Sequence, residues 1–494
     1  MDPRTWVKDL TWYFMFLLFT TTIGPLLFGF HLAELNTPQD VITCKRKSIF
    51  DSKPSLSLPQ CIPMNPTEIG LVSSIFTAGG LVGALVAGPL SAKFGRLRTM
   101  QSTTAFFIAG PAFEALASNI GVMTVGRFIS GLGAGAAVVV VPIYVSEVAP
   151  PAERGFFGSF TQIMVNVGIL IAQLLGFFLS HGQFWRIVLG AGGAIGAVQT
   201  VGLLFACESP KWMADRGHPG KAKKTLRKIR GDKFDIEEEI SEWGVESREQ
   251  FAEEEETLLG SENHPANDLP STPTKKESPN ESVSMWGVVR DPLYNRAVVA
   301  VIAVMLAQQL TGINSIIMYG VTLLANLLES NSATLNLAVS ALNIIVTAIA
   351  ATLVDRVGRK TCILQSIFGM GVSSLILAIG IGKGIKVLSA VAVICFVASF
   401  GLGLGPVPFL LPPELVGPEA VSALQSWALA ANWIATFVVA QFFPMVNSWL
   451  GGGRVYYIFA GVALFFFLFV GWWLPETRGK KNADEVWGRE RRVD

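Results

Sequence analysis

Twelve long apolar stretches divide this chain, and they constrain its fold more than any other feature. Each is about 20 residues long, the length that an α-helix needs to cross the hydrocarbon core of a bilayer. They lie at residues 11–31, 69–90, 100–117, 122–145, 156–179, 185–206, 297–325, 335–354, 362–381, 387–411, 421–445 and 455–474. We therefore expect an all-α membrane protein with twelve transmembrane helices.

The composition agrees with lipid as the main solvent. Hydrophobic residues make up 51% of the 494 positions and charged residues only 15%, whereas soluble domains are roughly a quarter charged. The formal net charge of +1 excludes the broadly basic surface of a nucleic-acid-binding protein. The five cysteines are too scattered for a zinc site. Since we find no nucleophile–base pair or phosphate loop, we predict neither a cofactor nor an enzymatic activity.

Basic residues in short loops predict which helix ends face the cytoplasm. They cluster on one side, at Lys93, Arg96, Arg98, Arg154, Arg356, Arg359 and Lys360. Both termini and the long central segment then lie on this cytoplasmic side. We expect the plasma membrane as the location, with a vacuolar or other internal membrane as the alternative.

The first loop on the opposite side contains Cys44 and Cys61. An oxidising compartment there would allow a disulfide between them. Two free thiols are the alternative.

A repeated signature divides the chain into two halves. Lys93-Phe-Gly-Arg follows the second apolar segment, and Asp355-Arg-Val-Gly-Arg follows the eighth. Likewise, Glu208-Ser-Pro follows the sixth and Pro475-Glu-Thr follows the twelfth. Parallel repeats of this kind place the substrate between the halves. We predict an N-terminal six-helix half (1–207), a cytoplasmic loop with short helices and a disordered part (208–296), a C-terminal six-helix half (297–474) and a cytoplasmic tail (475–494).

The central loop changes character along its length. Residues 221–230 are typical of a short basic helix, and residues 261–284 are rich in Ser, Pro, Asn and Thr, which predicts disorder. A tether between the halves and a phosphorylation target are both open interpretations. Regulatory partners of this loop cannot be read from the sequence.

The sequence motifs of this chain, taken in their order along it, resemble those of the sugar-porter family of the major facilitator superfamily. They are Arg127, Pro142-Ile-Tyr-Val-Ser-Glu147, Glu153-Arg-Gly155, Glu208-Ser-Pro-Lys-Trp212, Gln308-Gln-Leu-Thr-Gly-Ile-Asn314, the Asp355 cluster and Pro475-Glu-Thr. The resemblance covers nearly the whole chain and is strongest to eukaryotic facilitative glucose transporters. It implies the major facilitator fold and transport of a hexose by alternating access. A non-transporting sugar sensor is the alternative from another functional class.

Charged residues at the predicted cytoplasmic helix ends form a candidate gate. We expect them to pair across the two halves in the outward-open state and to separate when the protein opens inward. Ion pairs at a wet interface cost little to break. Anchoring of the helix ends is the alternative role. The candidates are Arg96, Glu147, Arg154, Glu208, Asp355, Arg359, Glu414 and Glu476.

Amide side chains inside the apolar segments are candidates for sugar binding. An amide offers both donors and an acceptor to a hydroxyl, and polar groups at this depth are costly unless they pair or line a cavity. The resemblance to glucose transporters implies contacts from Gln162, Gln308, Gln309, Asn314 and Asn343. To these we add Asn432, Phe409 and Trp433, with Tyr319 as an outer gate.

Two substitutions relative to the family's glucose facilitators make glucose itself a less secure expectation than a hexose. Phe409 stands where Trp is usual, and Gly401 stands where Glu is usual. The Gly- and Pro-rich run from Gly401 to Phe409 also predicts a broken tenth helix.

The first helix bears on energy coupling. The resemblance implies Asp after its Phe-Gly-aromatic motif in proton-coupled members, whereas this chain reads Phe28-Gly-Phe-His31. We therefore expect facilitated diffusion. The alternative is proton symport through His31 and Glu34, which lie three residues apart on one helix face.

Overall fold

The structure is a computed structural model that describes residues 10–45, 58–150, 154–231, 236–241, 285–328, 331–451, 453–480 and 483–488. In these ranges, the secondary structure consists of α-helices and one short 3-10 helix. Residues 242–284 lie outside the described residues, and they include the whole of the segment 261–284 that is predicted to be disordered. The side chains of Arg154 and Asp355, two of the predicted gate residues, lie outside them as well.

Six long helices and one short helix form the first half of the chain. They are α1 (Trp12–Ala33), the short α2 (Gln39–Ile42), α3 (Pro66–Phe94), α4 (Arg96–Ala115), α5 (Ile120–Val148), α6 (Arg154–Leu179) and α7 (Trp185–Leu204). Capping residues determine where several of these helices begin. Asn65 caps α3 in a reciprocal capping box with Glu68, and Asn119 caps α5.

Four short helices follow in the described part of the central segment, and then the second half. The short ones are α8 (Pro210–Asp215), α9 (Pro219–Arg230), α10 (Glu237–Ser241) and α11 (Met285–Arg290). The second half contains α12 (Pro292–Leu310), α13 (Ile313–Leu328), α14 (Asn331–Val357), α15 (Arg359–Gly382), α16 (Lys386–Leu402), η1 (Val407–Phe409), α17 (Leu411–Leu415), α18 (Pro418–Leu450) and α19 (Val455–Trp473). A last short helix, α20 (Ala483–Trp487), ends the described chain.

Eleven segments in the described part of the chain are long and apolar enough to cross a bilayer. The twelfth is α4, which is less apolar because it carries Arg96, Arg98 and Glu114. It packs against α5 and α7, and protein therefore covers much of its surface. The predicted all-α major facilitator fold with twelve transmembrane helices is confirmed.

Two of the twelve crossings are broken. The seventh was expected to be continuous, but it divides into α12 and α13 at Thr311 and Gly312, where the glycine has φ +100°. The tenth divides into α16, η1 and α17, as its Gly and Pro residues predict. A break in a helix leaves backbone N–H and C=O groups without their helical hydrogen bonds. Such breaks are therefore tolerated only inside protein or next to a cavity.

The same helix pairs pack in both halves, as the sequence repeat predicts. In the first half, α3 packs on α5, α4 on α5 and α7, and α1 on α6. In the second half, α14 packs on α16, α15 on α16 and α19, and α12 on α18. Between the halves, α3 packs on α18 and α6 packs on α14. The two cross-half contacts are equivalent under the repeat.

A disulfide closes the loop between α1 and α3. It joins Cys44 and Cys61, with an S–S distance of 2.15 Å and a Cα–Cα distance of 5.3 Å. Below, the outer side of the molecule is the side that carries this disulfide, and the inner side is the opposite one.

We predict that Gly83→Ala destabilises the first half, because α3 and α5 approach closely there. A Cβ atom at Gly83 would lie 2.2 Å from the carbonyl oxygen of Leu132. Overpacking of this kind costs about 1–3 kcal/mol. The measurement is the apparent melting temperature in detergent, which should fall by several degrees.

Gly88 is the matched control, since it lies on the same helix with no atom within 4 Å of its added Cβ. Gly88→Ala should leave the melting temperature unchanged or slightly higher. Equal effects of the two substitutions would show that close approach of α3 and α5 does not limit stability.

Candidate substrate pathway between the halves

A chain of amide side chains runs along the breaks in the second half. Asn432 on α18 donates a hydrogen bond to Oε1 of Gln308 on α12. Gln309 donates to the same oxygen at 3.3 Å, and Asn314 on α13 donates to Oε1 of Gln309 at 2.6 Å. Four of the amides predicted to bind sugar therefore form one connected group.

A second polar group connects the two halves at α6 and α14. Asn343 Nδ2 donates to Oδ1 of Asn166 at 3.2 Å, and Asn166 Nδ2 donates to the hydroxyl of Thr347 at 2.9 Å. The half-buried Gln162 lies one helical turn before Asn166. The carbonyl oxygen of Asn343 is buried and has no hydrogen-bond partner in the described part of the chain.

The broken tenth helix lies against both amide groups. Gln308 Nε2 donates to the carbonyl oxygen of Leu404 at 2.5 Å and to that of Gly405 at 3.2 Å. At the end of α16, an added Cβ at Gly401 would lie 3.0 Å from Oδ1 of Asn343. A larger side chain at Gly401 would therefore crowd the unpartnered oxygen of Asn343.

The three predicted aromatic residues lie in different environments. Trp433 is buried between the halves, with its ring centroid 5.6 Å from that of Phe28 and 6.5 Å from that of Phe76. Phe409 is 37% exposed on η1. Tyr319 is buried on α13, and its hydroxyl donates to the carbonyl oxygen of Ala440 at 2.7 Å. Trp433 thus contributes to the contact between the halves.

On the inner side of the first half, predicted gate residues form one charged group. Arg96 binds the Glu147 carboxylate through Nε and Nη2, at 2.9 and 2.7 Å. The Glu208 carboxylate accepts hydrogen bonds from the backbone amides of Arg96 and Leu97 at the start of α4. Gly95 (φ +100°) gives this carboxylate room. A carboxylate at a helix N-terminus is stabilised by the helix dipole.

The second half repeats this arrangement. Arg359 Nε donates to Glu414 at 3.0 Å, and the backbone amide of Arg359 donates to Glu476 at 2.9 Å. Gly358 (φ +110°) is equivalent to Gly95. The side chain of Thr477 donates to Glu414 at 2.5 Å.

In this structure, the ion pairs of the predicted gate residues lie within each half. Arg96 and Glu147 belong to the same half, and so do Arg359 and Glu414. In each half, the arginine follows a tight loop that places it beside a helix end of its own bundle. These groups hold together the inner ends of the helices within each half. The expected pairing between the halves concerns the outward-open state and stays a prediction.

Hydrogen bonds between the halves also lie nearer the outer side. Asn36, just after α1, donates to the carbonyl oxygen of Ile317 at 2.8 Å and accepts from the amide of Val321 at 3.0 Å. In an undisturbed helix, these two α13 groups would bond to each other. Ser74 on α3 donates to Gln441 on α18 at 2.7 Å. The structure is therefore closed on its outer side.

Gln173 forms another contact between the halves. Its Oε1 accepts a hydrogen bond from Ser340 at 2.7 Å. This interhelical hydrogen bond joins α6 to α14.

A buried charged group in the first half was only partly found from the sequence. His31 and Glu34 contact each other, as expected from their spacing, at 3.0 Å. Arg127 and Glu114 complete the group. A Glu inside the third apolar segment was the signal available for Glu114, because acids are rare at that depth. Asn36 and Asn166 carried no comparable signal, since many polar residues end or interrupt helices.

Comparison with known proteins places the chain in a family. The family described as "Sugar (and other) transporter" matches residues 17–487. A probable metabolite transport protein of Saccharomyces cerevisiae is 32% identical over 474 residues, covering 94% of this chain and 93% of the relative. The glucose transporter GlcP of Staphylococcus epidermidis is 31% identical and covers 86% of this chain and 89% of its own length.

A solved structure shares the fold. The xylose transporter XylE of E. coli, in a partially occluded inward-open conformation, aligns with a TM-score of 0.73 over 95% of this chain and 100% of its own, at 21% identity. The chain is a membrane transporter of the major facilitator class. It belongs to the sugar transporter family and is not an enzyme.

We predict that Asn36→Ala shifts the protein toward the outward-open state. The substitution removes the hydrogen bonds that join Asn36 to α13, of which the two shorter ones are worth about 1 kcal/mol each. The ratio of outward-open to outer-closed molecules should therefore rise by about tenfold or more. Spin labels at positions 68 and 448, on the outer ends of α3 and α18, would report it as a larger share of long distances.

Asn447→Ala is the control, since Asn447 is another asparagine near the outer end of α18. An unchanged distance distribution in Asn36→Ala would mean that these two bonds do not hold the outer side closed.

Proposed function

We propose that this transporter carries a hexose by alternating access, and that the linked amides bind it. The observation that carries the proposal is the unpartnered Oδ1 of Asn343, buried beside a connected set of amides at the breaks of α12–α13 and α16–α17. A buried acceptor without a donor costs about 1–3 kcal/mol. A substrate hydroxyl would supply the missing donor.

The chemistry of the amide groups fits a neutral, hydroxyl-rich substrate. Gln308, Gln309, Asn314, Asn343 and Asn432 together offer many donors and acceptors and no net charge. An anionic or cationic substrate would need a compensating charge, which this amide set does not contain. The likeness to a glucose transporter over most of both chains supports a hexose among neutral polyhydroxy compounds.

The arrangement of contacts supports alternating access. Within each half, charged groups and close helix packing hold the bundle together. Several of the hydrogen bonds between the halves are single neutral bonds, such as Ser74–Gln441 and Asn166–Asn343. Since each contributes only about 1 kcal/mol, the halves can separate on one side without loss of their internal structure.

The amide groups contain no titratable side chain, so sugar binding there is not in itself linked to a proton. Facilitated diffusion is what they would support alone. The chain is a multi-pass membrane protein, and we propose the plasma membrane as its location with both termini cytoplasmic. Protease protection of tagged termini in sealed cells would test this topology.

Asn343→Leu tests the sugar site. Leucine branches at the same side-chain carbon as asparagine but neither accepts nor donates a hydrogen bond. Because one substrate hydrogen bond is lost, KM for the transported hexose should rise about tenfold. The measurement is the initial rate of labelled glucose counterflow in proteoliposomes, followed by competition with a panel of hexoses, pentoses, polyols and disaccharides.

Asn447→Leu is the matched control. Its side-chain oxygen is also buried and unpartnered in the described residues, but it lies 15 positions further along α18 than Asn432, roughly 22 Å away at 1.5 Å per residue. An unchanged KM in Asn343→Leu would remove Asn343 from the site. If no hexose competed, the substrate proposal would be wrong, and binding without counterflow would indicate a sensor.

A further inference from the structure

Asn166 is an amide on α6 of the first half, and both of its side-chain hydrogen bonds in the described residues go to α14 of the second half. Its Oδ1 accepts from Asn343 at 3.2 Å, and its Nδ2 donates to the hydroxyl of Thr347 at 2.9 Å. All three side chains are buried. We call these three residues the cross-half network. Since polar groups at this depth are costly unless they are paired, the network depends on contact between α6 and α14.

The contact between α6 and α14 includes two facing rows of polar side chains. On α14, Ser340, Asn343 and Thr347 are spaced by three and four residues, which places them on one face of the helix. On α6, Asn166 and Gln173 are seven residues apart and share a face as well. Ser340 donates to Gln173 at 2.7 Å. The α6 row therefore meets Asn343 through Asn166, whereas Gln173 binds elsewhere on α14.

The cross-half network restricts the rotation of the Asn343 amide. The terminal torsion of an asparagine side chain is broad and roughly two-fold, so a free amide can present either its oxygen or its nitrogen to a neighbour. Because Asn343 Nδ2 donates to Asn166, the oxygen of Asn343 is directed elsewhere. Thr347 holds Asn166 in turn, since it accepts from Asn166 Nδ2. The network thus fixes the direction of one hydrogen-bond acceptor.

This acceptor lies against the break in the tenth crossing. An added Cβ at Gly401 would lie 3.0 Å from Asn343 Oδ1, and an added Cβ at Gly405 would lie 3.7 Å from Cα of Gly401. Gln308 donates to the carbonyl oxygen of Gly405 at 3.2 Å. Asn343 and Gln308 therefore lie against the same short segment of backbone. The fixed oxygen of Asn343 is the unpartnered acceptor that is proposed above to bind a sugar hydroxyl.

We propose that Asn166 is a positioning residue of the sugar site, which acts from the opposite half through Asn343. It holds the Asn343 oxygen toward the substrate and thereby sets the affinity for one sugar hydroxyl. The inference rests on the proposed sugar transport and adds to it a determinant of specificity from the first half. A bond that only joined the halves would influence their rearrangement but not the choice among sugars.

Asn166→Ala removes both hydrogen bonds of the cross-half network. The Asn343 amide can then rotate, so that only a fraction of the molecules present its oxygen to the sugar, and the apparent affinity falls by that fraction. We expect KM for the transported hexose to rise about fivefold, the equivalent of one hydrogen bond. The maximal rate should stay within about twofold of wild type. The measurement is the initial rate of hexose counterflow by the full-length protein in proteoliposomes.

Selectivity among deoxy sugars is a readout that a bond merely joining the halves would not change. Competition against the labelled hexose gives the affinity for each monodeoxy analogue, which lacks one hydroxyl group. The analogue without the hydroxyl that Asn343 binds should compete about tenfold more weakly than the parent sugar. Asn343→Leu should abolish this difference, because the acceptor is gone. Asn166→Ala should reduce the difference to about twofold, because the acceptor is no longer held in place.

A double substitution tests whether Asn166 acts through Asn343. If it does, Asn166→Ala combined with Asn343→Leu should have the KM of Asn343→Leu alone, because the group that Asn166 positions is already absent. Additive increases in KM would show that Asn166 acts independently of Asn343, and they would overturn the positioning role.

Thr347 offers a second test that leaves Asn166 in place. Thr347→Val keeps the branched shape of the side chain but removes the acceptor for Asn166 Nδ2. We expect KM to rise about threefold and the deoxy selectivity to weaken, since Asn166 is held less firmly. Thr347→Ser retains a hydroxyl and should restore the wild-type selectivity. Full selectivity in Thr347→Val would contradict the role of the network.

Ser340→Ala is the matched control. It removes a hydrogen bond between the same two helices, one turn before Asn343, and leaves the cross-half network intact. KM and the deoxy selectivity should both equal those of the wild-type protein. Equal losses of selectivity in Ser340→Ala and Asn166→Ala would mean that any bond between α6 and α14 serves, and Asn166 would then have no positioning role.

The outcomes separate this inference from the proposed function. Absence of counterflow in the wild-type protein with every sugar in the panel would overturn the proposed function. Hexose counterflow in which Asn343→Leu loses the deoxy selectivity but Asn166→Ala retains it would overturn the positioning role alone. If Asn166→Ala does not yield folded protein, the comparison of Thr347→Val with Thr347→Ser still decides whether the network controls selectivity.

Discussion

Polar side chains buried between membrane helices have little water to bond to, and the structure is organised around satisfying them. Arg127 is the clearest case: its fully buried guanidinium is met by a carboxylate, two backbone carbonyl groups and an aromatic ring from α1 and α3. Removal of any of these partners would leave a desolvated charge, which is more costly than the loss of a surface ion pair. The position of α1 against α3 and α5 follows from this requirement.

The contacts within each repeated half must stay fixed, whereas the contacts between the halves must change. In both halves, a glycine at positive φ begins a helix, a glutamate accepts its first amides, and an arginine binds a second glutamate. These charge-assisted contacts are among the stronger hydrogen bonds in proteins, and they join helices of one half. The single neutral bonds between the halves, such as Ser74–Gln441, are weaker. Rearrangement between the halves therefore needs less free energy than disruption within either one.

Much of this architecture follows from the sequence, and the exceptions have physical causes. Helix length in a bilayer fixed the number of crossings, and the Gly and Pro residues from Gly401 to Phe409 predicted the break in the tenth helix. The break at Gly312 was missed because the apolar run through 297–325 is continuous. Glu114 was missed as a partner of Arg127 because hydropathy locates a residue along a helix, not the face it presents to another helix. The pairing within each half was not predicted, because sequence position alone cannot distinguish neighbours in one bundle from neighbours in two.

The two polar systems of the interior are contiguous although their chemistry differs. The amides are neutral, whereas the buried group of His31, Glu34, Glu114 and Arg127 consists of ionisable side chains. Phe28 lies three residues before His31 on α1, and its ring packs on Trp433. The next residue back along α18 is Asn432, which donates to Gln308. A shift of α1 relative to α18 would therefore move the aromatic contact that borders the amides. Because packed interiors respond to such shifts by repacking rather than by smooth deformation, a movement of α1 and a rearrangement around the amides would occur together.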